Sequence, residues 1–541
     1  MKKTIFLLFQ FLFVLSLCAA TPILRVGAIT DNHFDKKRPA MAERTRLAFE
    51  LFKLHNVDIF VDCGDVVDTY QPEMFKLWKE IYLKTFPDET KRPPFLMIPA
   101  GHDRIGTTWT QGYSDFVKLT GSGSVNPVKK IKGYYFVSIA QNENPAILEK
   151  NLQDAIANSP KGQTVFVITH YPPRNTTPGS FSSAGGDQTY RNILDKYPQA
   201  IVISGHTHAR LMDARSIWQG NFTAINAGSL AYYDVGGVAN QAIRNYSYDA
   251  SIIELYSNKV VLRRFDVSNN SEIDPKNPWT WQLPYNPKNA PYNPSVRQKT
   301  FPVPSYKKNA KATYKNIKNS WNRWGVLDIA LPENFEAASS YTIELKKDKV
   351  HYGIVEFTTP KMPEKNIQFA FMAGYLTLGN YTYTITPKNY FGVIGQSIKG
   401  KFTVKKLPWK SIDYTGQNPI YSNRKKGKLL KANADGFYDI KGDFRLVIPQ
   451  EVIDIAVAQK KKLILSLDIE CINSNHNTNL RITNKNAQIV TLNTICYRKT
   501  AQKQHYSFVF RPGKQQYNLQ ARQLSSGKYR FSNIKYYLYW F

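Results

Sequence analysis

Short, predominantly apolar runs alternate with stretches of helical spacing through the first half of the chain. The runs are Ile23–Ile29, Val57–Cys63, Phe95–Ile98, Val165–Thr169 and Ala200–Ser204. Each closes on a turn-forming cluster, which reads as a strand buried on both faces. Between them, Met41–His55, Pro72–Phe86, Ile147–Asn158 and Thr189–Tyr197 carry helical periodicity, with Leu47, Leu51 and Leu54 on one side of the first. Ile131–Ala140 predicts a strand pair or edge. Phe222–Ile225 leads into a turn at Asn226-Ala227-Gly228-Ser229, and Ala250–Leu255 with Lys259–Phe265 predicts a closing hairpin. Alternating strands and helices predict an α/β layered sheet with helices outside.

The pattern changes after this. From Pro275 to Tyr306 the chain is rich in Pro and Asn, which predicts an ordered but irregular connector. Strict alternation follows at Tyr341–Leu345, Ile367–Phe371 and Tyr381–Ile385, as in a β-sandwich of immunoglobulin or fibronectin type III kind. It returns at Leu463–Leu467, Tyr506–Phe510 and Tyr536–Trp540, predicting a second, jelly-roll-like β-sandwich. The expected organisation is a leader at 1–20, an α/β domain at 21–274, a connector at 275–306, and β-sandwiches at 307–405 and 406–541.

Length and composition agree with several folded domains: 541 residues, 42% hydrophobic and 13% aromatic. The formal net charge of +31 raises a polyanion partner. The lysines are scattered, however, and no RNP, helix-turn-helix or zinc-finger signature accompanies them, so nucleic acid is not expected as a specific partner. Lys2-Lys3, the apolar stretch Ile5–Leu17 and Cys18-Ala19-Ala20 have the order of a cleaved secretory leader. The expectation is a secreted, extracellular protein; the alternative is an anchor through the same segment, although it is short for a span. Cys63 falls in a strand and reads as core. Cys471 and Cys496, in neighbouring strand-like segments, form a candidate disulfide. Asn175, Asn221, Asn245, Asn269 and Asn380 are glycosylation acceptors, so a glycoprotein is expected in a eukaryotic source.

The chemistry gathers at strand ends. In order they carry Asp31-x-His33, Gly64-Asp65-x-x-Asp68, Gly101-His102-Asp103, His170 and Gly205-His206-x-His208. Mixed carboxylate and imidazole ligands suit Mn, Fe or Zn better than Ca or Mg. Two such ions about 3.5–4 Å apart can clamp both oxygens of an in-line phosphoryl displacement. Only a carboxylate readily bridges two cations, and Asp65 is the central candidate.

This order and spacing resembles the calcineurin-like metallophosphoesterases over roughly Leu24–Val267, with an exported type carrying a C-terminal fibronectin/immunoglobulin-like module as the whole-chain match. The resemblance implies a four-layer αββα sandwich, followed here by the two all-β sandwich domains. It implies two divalent transition-metal ions (Mn, Fe or Zn). Asp31, His33, Asp65 and His208 would hold one, and Asp65, His170 and His206 the other. It also implies His102 as the group that protonates the leaving oxygen or stabilises the transition state, with Asp103 orienting it. One departure stands out: Gly101 occupies the place of a usual Asn ligand, so a second site that is weaker, filled by water, or empty without substrate is expected. Asp68 stands where purple acid phosphatases have a tyrosine ligand, and Thr69-Tyr70 replaces the Arg-Gly of protein Ser/Thr phosphatases.

The expected function is an exported phosphoesterase hydrolysing phosphate mono- or diesters, small or macromolecular, through a metal-activated hydroxide, with the β domains docking it on a surface or glycan. The alternative is a secreted binding or adhesion protein whose phosphoesterase domain is degenerate through Gly101.

Overall fold

The structure, a computed structural model, describes residues 21–539 apart from 180–185, 234–246, 319–321, 359–364, 417, 423–426, 435–436, 442–443, 472–477, 496–502 and 523–527. The predicted leader, Asn245, and Cys496 of the candidate disulfide lie outside the described residues. The described residues form two compact units that divide between Thr300 and Phe301.

The strands of the first unit are β1 (Leu24–Ile29), β2 (Ile59–Asp62), β3 (Phe95–Met97), β4 (Val128–Ile131), β5 (Tyr134–Ile139), β6 (Val165–Thr169) and β7 (Ala200–Ser204). They continue with β8 (Ile217–Gln219), β9 (Thr223–Asn226), β10 (Asp249–Leu255), β11 (Lys259–Asp266), β12 (Ser271–Glu272) and β13 (Trp279–Gln282). Its helices include α1 (Ala40–Leu54), α2 (Pro72–Thr85), α3 (Trp109–Thr120), α4 (Pro145–Ala157) and α5 (Gln188–Leu194). One sheet has the order β12-β11-β10-β1-β2-β3, with β13 also on β11; the other runs β4-β5-β6-β7-β9-β8.

The near-continuous apolar character of the strands follows from burial on both faces. Phe166 and Ile168 of β6 join Val26, Ala28, Ile59 and Ile203 in a core shared by the two sheets. Their neighbours Val165 and Val167 point the other way, onto Leu148 and Leu152 of α4. On the first sheet, Phe60 meets Phe49 and Phe52 of α1 and Trp78 of α2. This alternation fixes register, because a one-residue slip would swap the two faces of every strand.

Register also sets the site. Ile29 pairs with Asp62, and Asp62 with Met97. In the other sheet Ile139 pairs with Thr169, Thr169 with Ser204, and Ser204 with Asn226. These are parallel neighbours ending level, so the loops that follow all open at the same edge, where α/β sheets place ligands.

Two features of the first unit differ from the sequence expectation. The stretch expected as an irregular connector begins inside the first unit: Trp279–Gln282 pairs antiparallel with β11, and Trp281 is buried. Helix α3 was not predicted; Thr108 caps it by accepting from Gln111 N, and Gly121 ends it in the left-handed region at φ 80°.

In the second unit, sheets of three and four strands share a core through Leu327, Ile343, Phe371 and Ile385. Two five-stranded sheets share another through Leu465, Ile482 and Leu519. A helix at Gln450–Ala458, also not predicted, lies beside the latter. His505, which has no sequence motif around it, is buried here: its Nε2 lies 2.9 Å from Ser466 Oγ and its Nδ1 2.7 Å from Asp468 Oδ1. Among the described residues, no helix is long and apolar enough to cross a membrane.

Candidate metal centre

The loop after β1 brings Asp31 and His33 to the edge, the loop after β2 brings Asp65, and the loop after β7 brings His206 and His208. All five adopt left-handed backbone, with φ of 51°, 46°, 54°, 68° and 47°. Each such non-glycine residue costs of order 1–3 kcal/mol and persists only where its surroundings over-determine it. Here hydrogen bonds do so. Asp31 N donates to Gly64 O at 3.0 Å and His33 N to Asp65 O at 3.0 Å. His206 N donates to Asp31 Oδ2 at 2.9 Å. Gly205 is required in this bend: a Cβ there would collide with Thr30 Oγ1 and sit 2.7 Å from Asp31 Oδ2.

Backbone carbonyls fix the histidine tautomers. His170 Nδ1 donates to Cys63 O at 2.9 Å, and His208 Nδ1 to Tyr232 O at 2.8 Å. Nε2 is then the nitrogen turned inward, the orientation that a metal-ligating imidazole needs. His33 Nδ1 lies 3.2 Å from Asp68 Oδ1, and Asp68 Oδ2 is held by Arg38 at 2.6 Å.

Two groups of donors face the centre, besides a third formed by His33, Asp68 and His102. His208 Nε2 is 3.1 Å from Asp31 Oδ1, and His33 Nε2 is 3.3 Å from His208 Nε2. His170 Nε2 is 3.2 Å from Asp65 Oδ2. Asp65 Oδ2 also lies 4.0 Å from His33 Nε2, between the groups. Asp31, His33 and His208 place ligand atoms mutually within 4.8 Å, and so do Asp31, Asp65 and His170. His206 stands outside both triplets; its ring centroid is 5.2 Å from that of His170 and 4.3 Å from that of Tyr171.

These residues fit divalent cations. Asp31 Oδ1 is buried and accepts no hydrogen bond, although two imidazole nitrogens face it. A buried acceptor in that state is costly unless something positive sits before it. The electrostatics agree. Burial works against ionisation of Asp31 and Asp65, yet His208 and His33 hold the first well below the carboxylate range, and His170 does the same for the second. Burial and the charge of His170 push His206 down to about 3, leaving it neutral and able to ligate.

His102 and Asp103 are both at the site, in a short 3-10 turn after β3, but not in the expected relationship. His102 N donates to Asp65 Oδ1 at 2.9 Å, and its Nδ1 lies 2.7 Å from Asp68 O. The Asp68 carbonyl, not Asp103, therefore orients the imidazole. Asp103 is fully buried and accepts from Asp65 N, Val67 N and Ala100 N at 3.2, 3.0 and 2.8 Å. It ties the loops after β2 and β3 together. Burial and the Asp65 charge push its carboxyl up to about 8.

Sequence reasoning missed two side chains at this edge. Tyr232 stacks on His208 with centroids 4.1 Å apart. Gln141 follows β5 and donates from Nε2 to Tyr171 Oη at 2.8 Å. Nearby, Arg104 lies over Trp109, 4.4 Å from the ring centroid, and Tyr190 of α5 is buried in the core.

Solved structures with similarity include a dimetal phosphatase from Danio rerio, at 12% identity and TM-score 0.34, covering 47% of this chain and 99% of that one. The inner membrane complex anchor GAP50 of Plasmodium matches at 16% identity and TM-score 0.35, over 49% of this chain and 89% of that one. Purple acid phosphatase PPD1 from yellow lupin (Lupinus luteus) seeds matches at 11% identity and TM-score 0.34, over 48% of this chain and 53% of that one. No curated protein matches the chain. Residues 24–210 match the calcineurin-like phosphoesterase family, and this part of the chain is a calcineurin-like phosphoesterase domain.

Proposed function

We propose that the protein is an exported, metal-dependent hydrolase of phosphate mono- or diesters. The observation that carries this reading is Asp31 Oδ1, buried, without a hydrogen bond, and faced by His33 and His208. In this reading Asp31, His33, Asp65 and His208 hold one ion, and Asp65, His170 and His206 the other. When bound, such ions polarise a phosphate ester and acidify water. The chain's own residues do the rest. Asp65 sets the spacing of the two poles, because its Oδ1 is fixed by His102 N while Oδ2 faces His170. The Asp68 carbonyl holds a proton of His102 on Nδ1, so Nε2 is the nitrogen that meets the leaving oxygen; the ring acts as an acid in its imidazolium form, giving up the Nε2 proton and keeping the one on Nδ1. Asp103 positions this turn without touching the substrate.

Export rests on the leader-like order of residues 1–20, and the β-rich region after the connector is read as a docking module. The degenerate-domain alternative rests on Gly101 alone. Hydrolysis of bis-p-nitrophenyl phosphate and p-nitrophenyl phosphate with Mn²⁺ tests the reading. Turnover in the wild type that His102→Ala lacks supports it. No turnover of either ester by folded, Mn²⁺-loaded protein favours the binding protein.

A further inference from the structure

The two poles of the centre are unequal. The first has Asp31, His33 and His208 converging, with Asp65 near. The second has Asp65 and His170, with His206 beside them, and Gly101 offers nothing. A tetrahedral ion needs four donors. The space next to Gly101 is not open. A Cβ built there would meet Gln141 Oε1 at 3.1 Å and Nε2 at 3.3 Å. The backbone at Gly101 is ordinary right-handed helical, φ −62° and ψ −42°, so position 101 is constrained by this neighbour and not by its dihedrals.

Gln141 belongs to the same edge as the other site residues. It lies two residues past Ile139, as Tyr171 lies two past Thr169, and Ile139 pairs with Thr169. Its main chain is tied down, with Tyr113 Oη donating to Gln141 O and Gln141 N donating to Pro99 O at 3.5 Å. Its amide donor is spent on Tyr171, whose ring packs 4.3 Å from His206 and 5.8 Å from His170. The carbonyl oxygen is the end of the amide that can serve a cation, and neutral amide oxygens ligate hard and borderline divalent ions.

We propose that Gln141 is the missing donor of the second pole: its side-chain oxygen serves the ion on the His170–His206 side, in the space that a side chain at 101 would have filled. This rests on the two-ion reading above. It makes Gly101 a compensated position, and the residue pair 101/141 the unit that supplies one amide oxygen.

Mn²⁺ titration by calorimetry, with metal counted after desalting, tests this on the full chain. The forms compared are wild type, Gln141→Met, Gln141→Ala and the double variant Gly101→Asn/Gln141→Ala. Gln141→Met keeps the volume and removes the oxygen, which guards against a folding effect. The expected result is two ions in the wild type. Either single variant should show at least a tenfold weaker second ion and an unchanged first. The double variant should regain the second ion, because a side chain at 101 no longer meets Gln141. Two ions of wild-type affinity in Gln141→Met overturns the proposal and leaves the two-ion reading intact. A wild type that takes fewer than two ions overturns both.

Discussion

His33 and His208, 175 residues apart in sequence, aim their Nε2 atoms at each other across 3.3 Å. With His208 Nδ1 committed to Tyr232 O, the contact requires a proton or a cation between the rings. His208→Ala is expected to remove one Mn²⁺ per chain. Saturating Mn²⁺ at about 100 times its dissociation constant stabilises a fold by about 2.7 kcal/mol. Calorimetric scans with and without Mn²⁺ check this; an upshift in the variant equal to that of wild type counts against the assignment.

Metal loading should depend on pH. In the metal-free centre burial disfavours the charged imidazoles. The carboxylates of Asp31 and Asp68 nevertheless raise His33 to about 10, and Asp65 raises His170 to about 9. Both histidines therefore carry a proton at neutral pH that a cation must displace. Affinity rises with pH up to about 9, by up to about tenfold per unit for each proton released. The same protons stabilise the metal-free fold fully below the ordinary histidine value of 6.5, and that contribution is lost as pH climbs toward 10. Titrations at pH 6, 7 and 8 in buffers of different ionisation enthalpy measure both; a flat affinity contradicts the prediction.

Gly205→Ala forces a methyl group into Thr30 Oγ1 and against Asp31 Oδ2. Overpacking of this kind costs about 1–3 kcal/mol. The displaced carboxylate should also lose its ion. A lowered melting temperature together with reduced bound Mn²⁺ is expected, and full metal content in the variant would show that Asp31 does not move.

His102 and Asp103 should separate in their effects. His102→Ala removes a positioned proton donor, worth about 10²–10⁴ in turnover, and leaves stability and Mn²⁺ content near wild type. Asp103→Ala strands three buried N–H groups, at about 1–3 kcal/mol each. Melting temperature and turnover measured side by side check this; equal melting temperatures for the two variants would contradict the loop-tying role.

In the second unit Asp468 is buried, which disfavours its charge, but His505, Asn533 and Lys503 hold its carboxyl below the ordinary value of 3.8. The stabilisation is present above that value and lost as pH falls through the lower folded one. Asp468→Ala should therefore melt well below wild type at pH 7, and the gap should narrow in acid. A gap that is constant from pH 7 to 3 would remove His505 from the account.

Much of the architecture was legible because the apolar runs are short, bounded and followed by Asp or His. Two kinds of information were not. Helix α3 carries signals at its ends, Thr108 and Gly121, and Trp109, Tyr113, Phe116 and Val117 at helical spacing, but Gly112 in its interior weakens the helical signal. Trp279-Thr280-Trp281 does alternate, but Pro278 and Pro284 beside it obscure a strand that sits at an edge, where proline is tolerated. At the site, a residue type could be read but a bonding direction could not. Asp103 adjoins His102 in sequence, yet it bonds backbone from another loop. Gln141 has no distinctive chemistry until Gly101 is seen against it, and Tyr232 fixes His208 through a carbonyl that every residue possesses.

Strand β1, which delivers Asp31 and His33, has β2 on one side and β10 on the other. Synthesis runs from the N-terminus, so every proposed ligand has left the ribosome with His208, before Asp249–Leu255 exists to close that flank. A nascent chain at that point owns the whole donor set but only one wall of the strand that carries its first two members. The donor set is thus complete in the chain before the sheet that positions its first two members, and the hairpin of β10 and β11 is what supplies the second wall.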